Sequence, residues 1–224
     1  MTEFLNAGPI DASTRIVLAH GAGAAMTSPF LEKMTVLLTE RGLQVSRFEF
    51  DYMAARRSEG KRRPPPRAER LMPEYVGAVE QLRAQGADRQ RLLIGGKSMG
   101  GRVASLVADE LFAAGLINGL VCLGYPFHPP AKPDNLRTAH LETLRCPALI
   151  IQGERDPFGM RAEVEGYRLS GKIDIQWAGD GDHNLGPRGG SGFTRAANLA
   201  LAADAIAAFA ANLPSCPQFA ARSE

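Results

Sequence analysis

Three side chains stand in the order and at the kind of positions that acyl transfer needs: Ser98, Asp156 and His183. A serine hydroxyl is a weak nucleophile until a base takes its proton, and a histidine oriented by a carboxylate is such a base. Ser98 lies in Gly96-Lys97-Ser98-Met99-Gly100, which fits Gly-x-Ser-x-Gly. That pattern makes a sharp strand-to-helix turn that lifts the serine above the end of a sheet, where side chains two residues either way would collide. The five-residue match is weak by itself, because Gly and Ser are common. The plain alternative is a strand, a glycine turn and a helix without chemistry. The surroundings are those the motif requires: Leu92-Leu93-Ile94 reads as a buried strand, and Val103, Leu106, Val107 and Leu111 follow at helical spacing.

The acid and the base come later in the chain. Ile150-Ile151-Gln152-Gly153-Glu154-Arg155-Asp156-Pro157 ends a strand in a turn that puts Asp156 just past the sheet, with Glu154 and Asp134 as rivals. A turn aspartate before proline is common without any chemistry. Ile175-Gln176-Trp177-Ala178-Gly179-Asp180-Gly181-Asp182-His183 ends the next strand in a loop carrying a histidine. Of the four histidines, His128 and His140 lie in an earlier connection and His20 precedes the serine. His183 would take the Ser98 proton and return it to the leaving group, while Asp156 would fix the imidazole tautomer. Asp180 and Asp182 would at most tune it.

An oxyanion hole needs two backbone donors. Met99, the first residue after the serine, would give one. His20-Gly21-Ala22-Gly23 would give the other, from Ala22 or alternatively Gly23. A missing donor costs about 3–4 kcal/mol in such sites. His20 reads as ordering that loop. Lys97 is either a packing residue with its charge in solvent or a cation favouring anionic acyl groups. Tyr125, Phe127 and His128 are further candidates for the pocket wall, against packing of a stiff loop.

The elements that must position these residues alternate. Strands are expected at Arg15 to Ala19, Gln44 to Asp51, the stretch before Ser98, Gly119 to Leu123, Ala148 to Gln152 and Lys172 to Trp177. Helices are expected at Pro29 to Arg41 (stopped by Gly42), Ala68 to Gln85, after Ser98, and from about Thr194 to Leu213. Such alternation makes an α/β fold: a mostly parallel, doubly wound sheet of about six or seven strands, with ligands at the carboxyl ends of the strands. Residues 1–224 read as one domain, with residues 1–14 and 214–224 as flexible ends.

Composition narrows the classes. A net charge of +2, with 45% hydrophobic residues, implies no global attraction to nucleic acid or membranes. No run reaches the ~20 apolar residues of a membrane span, and no signal peptide is evident at the start. Cys122, Cys146 and Cys216 form neither a CxxC pair nor a zinc spacing, which suggests reduced thiols in a cytoplasmic protein. Seven basic residues fall between Arg56 and Arg70 against Glu59 and Glu69. They read as a solvated loop, or as a patch that meets an anionic substrate or an acidic partner. Nucleic-acid binding is the weakest reading, since no aromatics interleave.

Ala19-His20-Gly21-Ala22-Gly23, Gly95 to Arg102 and Gln152 to Gly159 resemble the small α/β-hydrolases of the dienelactone-hydrolase-like clan. Lys97 and Tyr125-Pro126-Phe127-His128-Pro129-Pro130 are similar to the branch shared by bacterial alpha/beta-superfamily hydrolases and the eukaryotic testis-expressed and NSL-complex-subunit proteins. The resemblance runs from about Arg15 to Leu213. It implies a Ser98, Asp156, His183 triad with no metal and no organic cofactor. Ser98 stands where dienelactone hydrolase has cysteine, and where haloalkane dehalogenases and epoxide hydrolases have aspartate. The connection Gly124 to Cys146, where esterases and lipases insert a lid, is only about two dozen residues. The expectation is a lidless serine hydrolase for small soluble esters or thioesters, acting as a monomer or small homo-oligomer. The alternative is a hydrolase-fold interaction module without catalysis.

Overall fold

The computed structural model describes residues 1–60, 64–86 and 90–214. Strands form at Phe4–Ala7 (β1), Thr14–Ala19 (β2), Gln44–Phe48 (β3), Arg91–Lys97 (β4), Gly119–Leu123 (β5), Ala148–Gly153 (β6) and Ile173–Ala178 (β7). They join in one seven-stranded sheet, ordered β1-β3-β2-β4-β5-β6-β7. From β3 to β7 each neighbouring pair is parallel, in registers such as Val17 with Ile94 and Cys122 with Ile150.

Helices cover both faces: Pro29–Thr39 (α1), Asp51–Glu59 (α2), Met72–Ala84 (α3, entered through a 3-10 turn at Ala68–Leu71), Met99–Ala113 (α4), Arg161–Val164 (α5) and Arg195–Asn212 (α6). The period of two along a strand sorts the core. Ile16 and Leu18 of β2, with Val121 and Leu123 of β5, pack on Leu31, Met34 and Leu38 of α1 and Ala202, Ala203 and Ile206 of α6. Val17, Leu120 and Cys122 point the other way, onto Tyr75 and Val79 of α3 and Val103 and Val107 of α4. Burying each such Leu, Ile or Val is worth roughly 1.5–3 kcal/mol. Pro29 opens α1, where its missing N–H costs nothing, and Gly42 at φ 77° follows its end. Thr194 caps α6 by accepting from the Ala197 N–H at 3.1 Å.

Two stretches depart from the sequence expectations. Phe4–Ala7, expected within a flexible end, pairs antiparallel with β3, with Phe4 opposite Phe48. The Ser46 hydroxyl donates to Asn6 at 2.7 Å and reinforces that edge. The basic segment opens as helix rather than loop, since α2 runs to Glu59 before Gly60 at φ 69°. Arg57 on α2 is held by Glu3 at 2.9 Å and Glu49 at 3.3 Å. Lys61, Arg62, Arg63 and residues 215–224, Cys216 among them, lie outside the described residues. The connection from β5 to β6, residues 124–147, is a chain of turns with no inserted lid. Because β2, β4, β6 and β7 run parallel, the segments after them converge at one end of the sheet.

Candidate active site

Ser98 sits at φ 52° and ψ −114°, a conformation that L residues rarely adopt. Such a backbone costs on the order of 1–3 kcal/mol and persists only where its surroundings enforce it. Here the Ser98 N–H donates to the Leu123 carbonyl at 3.0 Å, and the Ser98 carbonyl accepts from Arg102 N–H at 3.0 Å as α4 begins. A Cβ at Gly96 would collide with the Ala19 carbonyl oxygen, and one at Gly100 would stand 2.5 Å from the same atom. Both glycines are therefore required by the closeness of β2. The buried Tyr75 supports the turn from behind, donating its hydroxyl to Gly95 O at 2.6 Å and accepting from Gly95 N–H at 2.8 Å.

Asp156 follows β6 in a turn closed by its N–H on Gly153 O at 3.1 Å, and it is 0% exposed. A carboxylate buried that deeply needs partners, and it has them. Its Oδ1 accepts from Phe158 N–H at 2.9 Å, and its Oδ2 from Gln152 Nε2 at 3.1 Å. The His183 Nδ1 lies 2.7 Å from that same Oδ2. An ionised carboxylate only accepts, so Nδ1 carries the hydrogen and Nε2 is left as the free lone pair. The Phe158 ring, 4.4 Å away centroid to centroid, holds the imidazole plane. The rivals are engaged elsewhere. Glu154 accepts from Arg161 at 2.9 Å and from Asp180 N–H at 2.8 Å, and Asp134 is exposed. Among the described residues Ser98 Oγ makes no hydrogen bond to His183; such bonds commonly tighten only when substrate binds.

Lys97 turns away from solvent and is 7% exposed. Its Nζ donates to the His183 carbonyl at 2.6 Å and lies 5.3 Å from the centroid of the Phe30 ring. Burial pulls its pKa down to about 8, although the charges of Asp156 and Asp182 oppose the shift. Asp180, at φ 48°, is clamped by Arg188 at 2.6 Å and Arg155 at 2.8 Å, and these guanidiniums hold its carboxyl down at about 2. Asp182 accepts from Asn184 and Gly186 N–H at 2.8 and 2.9 Å. Both aspartates organise the histidine loop, and neither touches the imidazole.

A cavity of about 790 Å³ opens over Ser98, bounded by Met99, Ala22, Pro126 and Phe158. Ala22 rather than Gly23 lines it, and Gly23 borders open space. The other sequence candidates for the pocket do not reach it. His20 is fully buried, accepting from Phe50 N–H at Nε2 (3.2 Å) and donating from Nδ1 to Gly21 O (2.7 Å), so it orders the loop that bears Ala22. Tyr125 and Phe127 point into the core, Tyr125 with its hydroxyl on Arg137 O and Phe127 against Tyr167, because the chain after β5 folds inward. His128 is buried beside Pro129 O and Glu163, at 2.9 and 3.5 Å.

Residues 12–211 match the family described as alpha/beta hydrolase domain. The chain belongs to the alpha/beta hydrolase family. Solved structures similar to this alpha/beta hydrolase agree in fold. A dienelactone hydrolase from Anabaena variabilis shares 20% identity over 93% of this chain and 88% of its own, with a TM-score of 0.68. A lidless a/b serine hydrolase from Xanthomonas campestris shares 16% over 96% and 91%, with a TM-score of 0.67. An alpha-beta serine hydrolase homologue from Coxiella burnetii shares 18% over 82% and 84%, with a TM-score of 0.62.

Sequence reasoning missed much of this alpha/beta hydrolase's cavity wall: Arg102, Leu106, Arg137, His140 and Phe158. Arg102 was findable, since it lies one helical turn after Ser98 on the same face. Arg137 and His140 come from the connection after β5, where no periodicity marks a direction. His140 faces Ser105 Oγ at 2.8 Å and Tyr125 OH at 3.4 Å, and burial beside Arg102 drives its pKa to about 4, so it is neutral. Among the described residues no three His, Cys, Asp or Glu side chains are grouped to hold a metal ion, and no helix is long and apolar enough to cross a membrane.

Proposed function

We propose that this alpha/beta hydrolase cleaves small carboxylic esters or thioesters through an acyl-enzyme on Ser98. The observation that carries the reading is the 2.7 Å contact of His183 Nδ1 with the buried Asp156, at the strand ends where Ser98 stands on its strained turn. His183 Nε2 takes the Ser98 proton as Oγ bonds to the carbonyl carbon. The oxyanion accepts from the Met99 and Ala22 N–H groups. As the tetrahedral adduct collapses, the carbon–oxygen or carbon–sulfur bond to the leaving group breaks, and His183 protonates the departing alcohol or thiol. Water then attacks the acyl-serine with His183 as base, releasing the acid and restoring Ser98. A cavity of about 790 Å³, roofed by no lid, suits short acyl groups over long lipid chains. Cys122 and Cys146, buried and unpaired, support a cytoplasmic setting.

The test is turnover of p-nitrophenyl acetate by the wild type and by Ser98→Ala. The expected result is measurable hydrolysis that falls to background in the variant, with an unchanged melting temperature. Hydrolysis that survives in Ser98→Ala would remove the acyl-enzyme mechanism.

A further inference from the structure

The wall of the cavity facing Ser98 carries three arginines, Arg67, Arg102 and Arg137, against one carboxylate, Glu69. They come from three separate parts of the chain: the approach to α3, the first turn of α4, and the connection after β5. Arg102 sits at the N-terminal end of α4, where the helix dipole disfavours a cation and no acidic residue occupies the first turn. Its Nη2 donates to Glu69 at 2.6 Å, but Glu69 is 53% exposed, and the buried Arg102 Nε has no hydrogen-bond partner.

Arg137 is held at its backbone. Its N–H donates to Phe127 O at 2.7 Å, and its carbonyl accepts from the Tyr125 hydroxyl at 3.0 Å. Its guanidinium, half-buried, has no hydrogen-bond or ion-pair partner among the described residues. Burial first, and then the neighbouring Arg102 charge, hold its pKa below the usual arginine value. Two cations are thus kept close enough to repel, on a fixed frame, beside a nucleophile. A structural arginine would have its fork filled; Glu69 engages only part of the Arg102 fork, and the Arg137 fork, which lines the cavity, is unfilled among the described residues. An anion in the cavity would offset the paired positive charge and fill the Arg137 donors, whose geometry matches a carboxylate.

We propose that Arg67, Arg102 and Arg137 form a subsite for a carboxylate carried by the ester or thioester that Ser98 attacks. The substrate class is then an acidic ester: a half-ester of a dicarboxylic acid, or an ester whose alcohol part bears the carboxylate. This specificity rests on the hydrolase reading above, but the subsite itself is a binding site that can be measured without turnover.

The first arm is calorimetric binding of glutarate to the full chain in low salt, with neutral glutaramide as its match. The expected result is that glutarate binds and glutaramide does not. Arg137→Gln is expected to weaken glutarate about tenfold, with Arg137→Lys in between because it keeps charge but loses the fork. Arg168→Gln, an exposed arginine away from the cavity, is expected to leave glutarate binding unmoved. Raising salt from about 0.05 to about 0.5 M should weaken the binding. Equal binding of glutarate and glutaramide, or an unmoved affinity in a folded Arg137→Gln, would overturn the subsite. The second arm compares para-acetoxybenzoate with its methyl ester, and mono-p-nitrophenyl adipate with p-nitrophenyl hexanoate. A charge preference that Arg137→Gln erases, in either pair, supports the proposal and tells which side of the scissile bond carries the anion. Hydrolysis of the neutral esters with neither glutarate binding nor a charge preference would sink the subsite and leave the hydrolase. Glutarate binding without turnover of any ester would sink the hydrolase and leave the subsite.

Discussion

Two parts of the site are built differently: the cluster around His183, and the arginine wall of the cavity over Ser98. On the histidine side, the fold answers its own polar groups: Asp156 accepts from Phe158, Gln152 and His183, and the His183 carbonyl accepts from Lys97. On the arginine side, Arg102 reaches one exposed glutamate, its Nε is orphaned, and the Arg137 guanidinium has no hydrogen-bond or ion-pair partner among the described residues. Buried polar groups are paired unless something external pairs them. The difference separates a part finished by folding from one that a ligand would finish. The first suits proton transfer, which needs fixed geometry, and the second suits recognition.

The largest expected effect that tests this contrast is on the finished side. Asp156→Asn keeps the shape but offers His183 a donor, so the wrong tautomer is favoured and kcat should fall about 10⁴-fold. Steady-state kinetics on p-nitrophenyl acetate measures it; a loss of less than about tenfold would mean that the histidine side is not the seat of the chemistry.

Lys97→Met comes next. The substitution keeps an apolar stem but removes the bond to the His183 carbonyl. The loosened loop should lower kcat on the order of 10- to 100-fold, with KM changing much less. Stability at neutral pH should not drop, because a buried ammonium is removed with it. If kcat is retained, Lys97 packs without positioning.

The smallest effect lies in the pH dependence of stability. Burial lowers the pKa of Lys97 in the folded chain to about 8, against 10.5 for the free side chain. Between those values the unfolded chain holds more protons than the folded one, so stability contributed here rises as pH rises. Urea midpoints of the wild type relative to Lys97→Met should therefore climb from pH 8 toward 10.5, the window set by the two pKa values. A flat difference would mean that Lys97 is not desolvated.

The same contrast explains what was legible in the sequence. Ser98, Asp156 and His183 each follow a short apolar strand, and a parallel sheet gathers strand ends, so their place at the same end of the sheet could be read from one dimension. The fold was legible for the same reason, since residues 16–19 of β2, 92–97 of β4 and all of β5 and β6 are buried runs. Phe4–Ala7 was not, because four residues show no period and the strand exists only by pairing with β3. Asp51–Glu59 hid its helix behind charge, needing Glu3 and Glu49 to hold Arg57. Tyr125, Phe127 and His128 are by type as fit for a pocket wall as for packing a stiff loop, and the connection after β5 turns them inward and presents Arg137 and His140 instead. Nothing local sets that direction; it follows from packing into the core, Phe127 against Tyr167 and His128 beside Glu163.

The most direct test of the central claim is labelling with a fluorophosphonate probe, read by intact mass and peptide mapping. One adduct is expected, on Ser98, absent in Ser98→Ala and slow to form in Asp156→Asn. No adduct on the folded wild type, or an adduct on another serine such as Ser105, would contradict it.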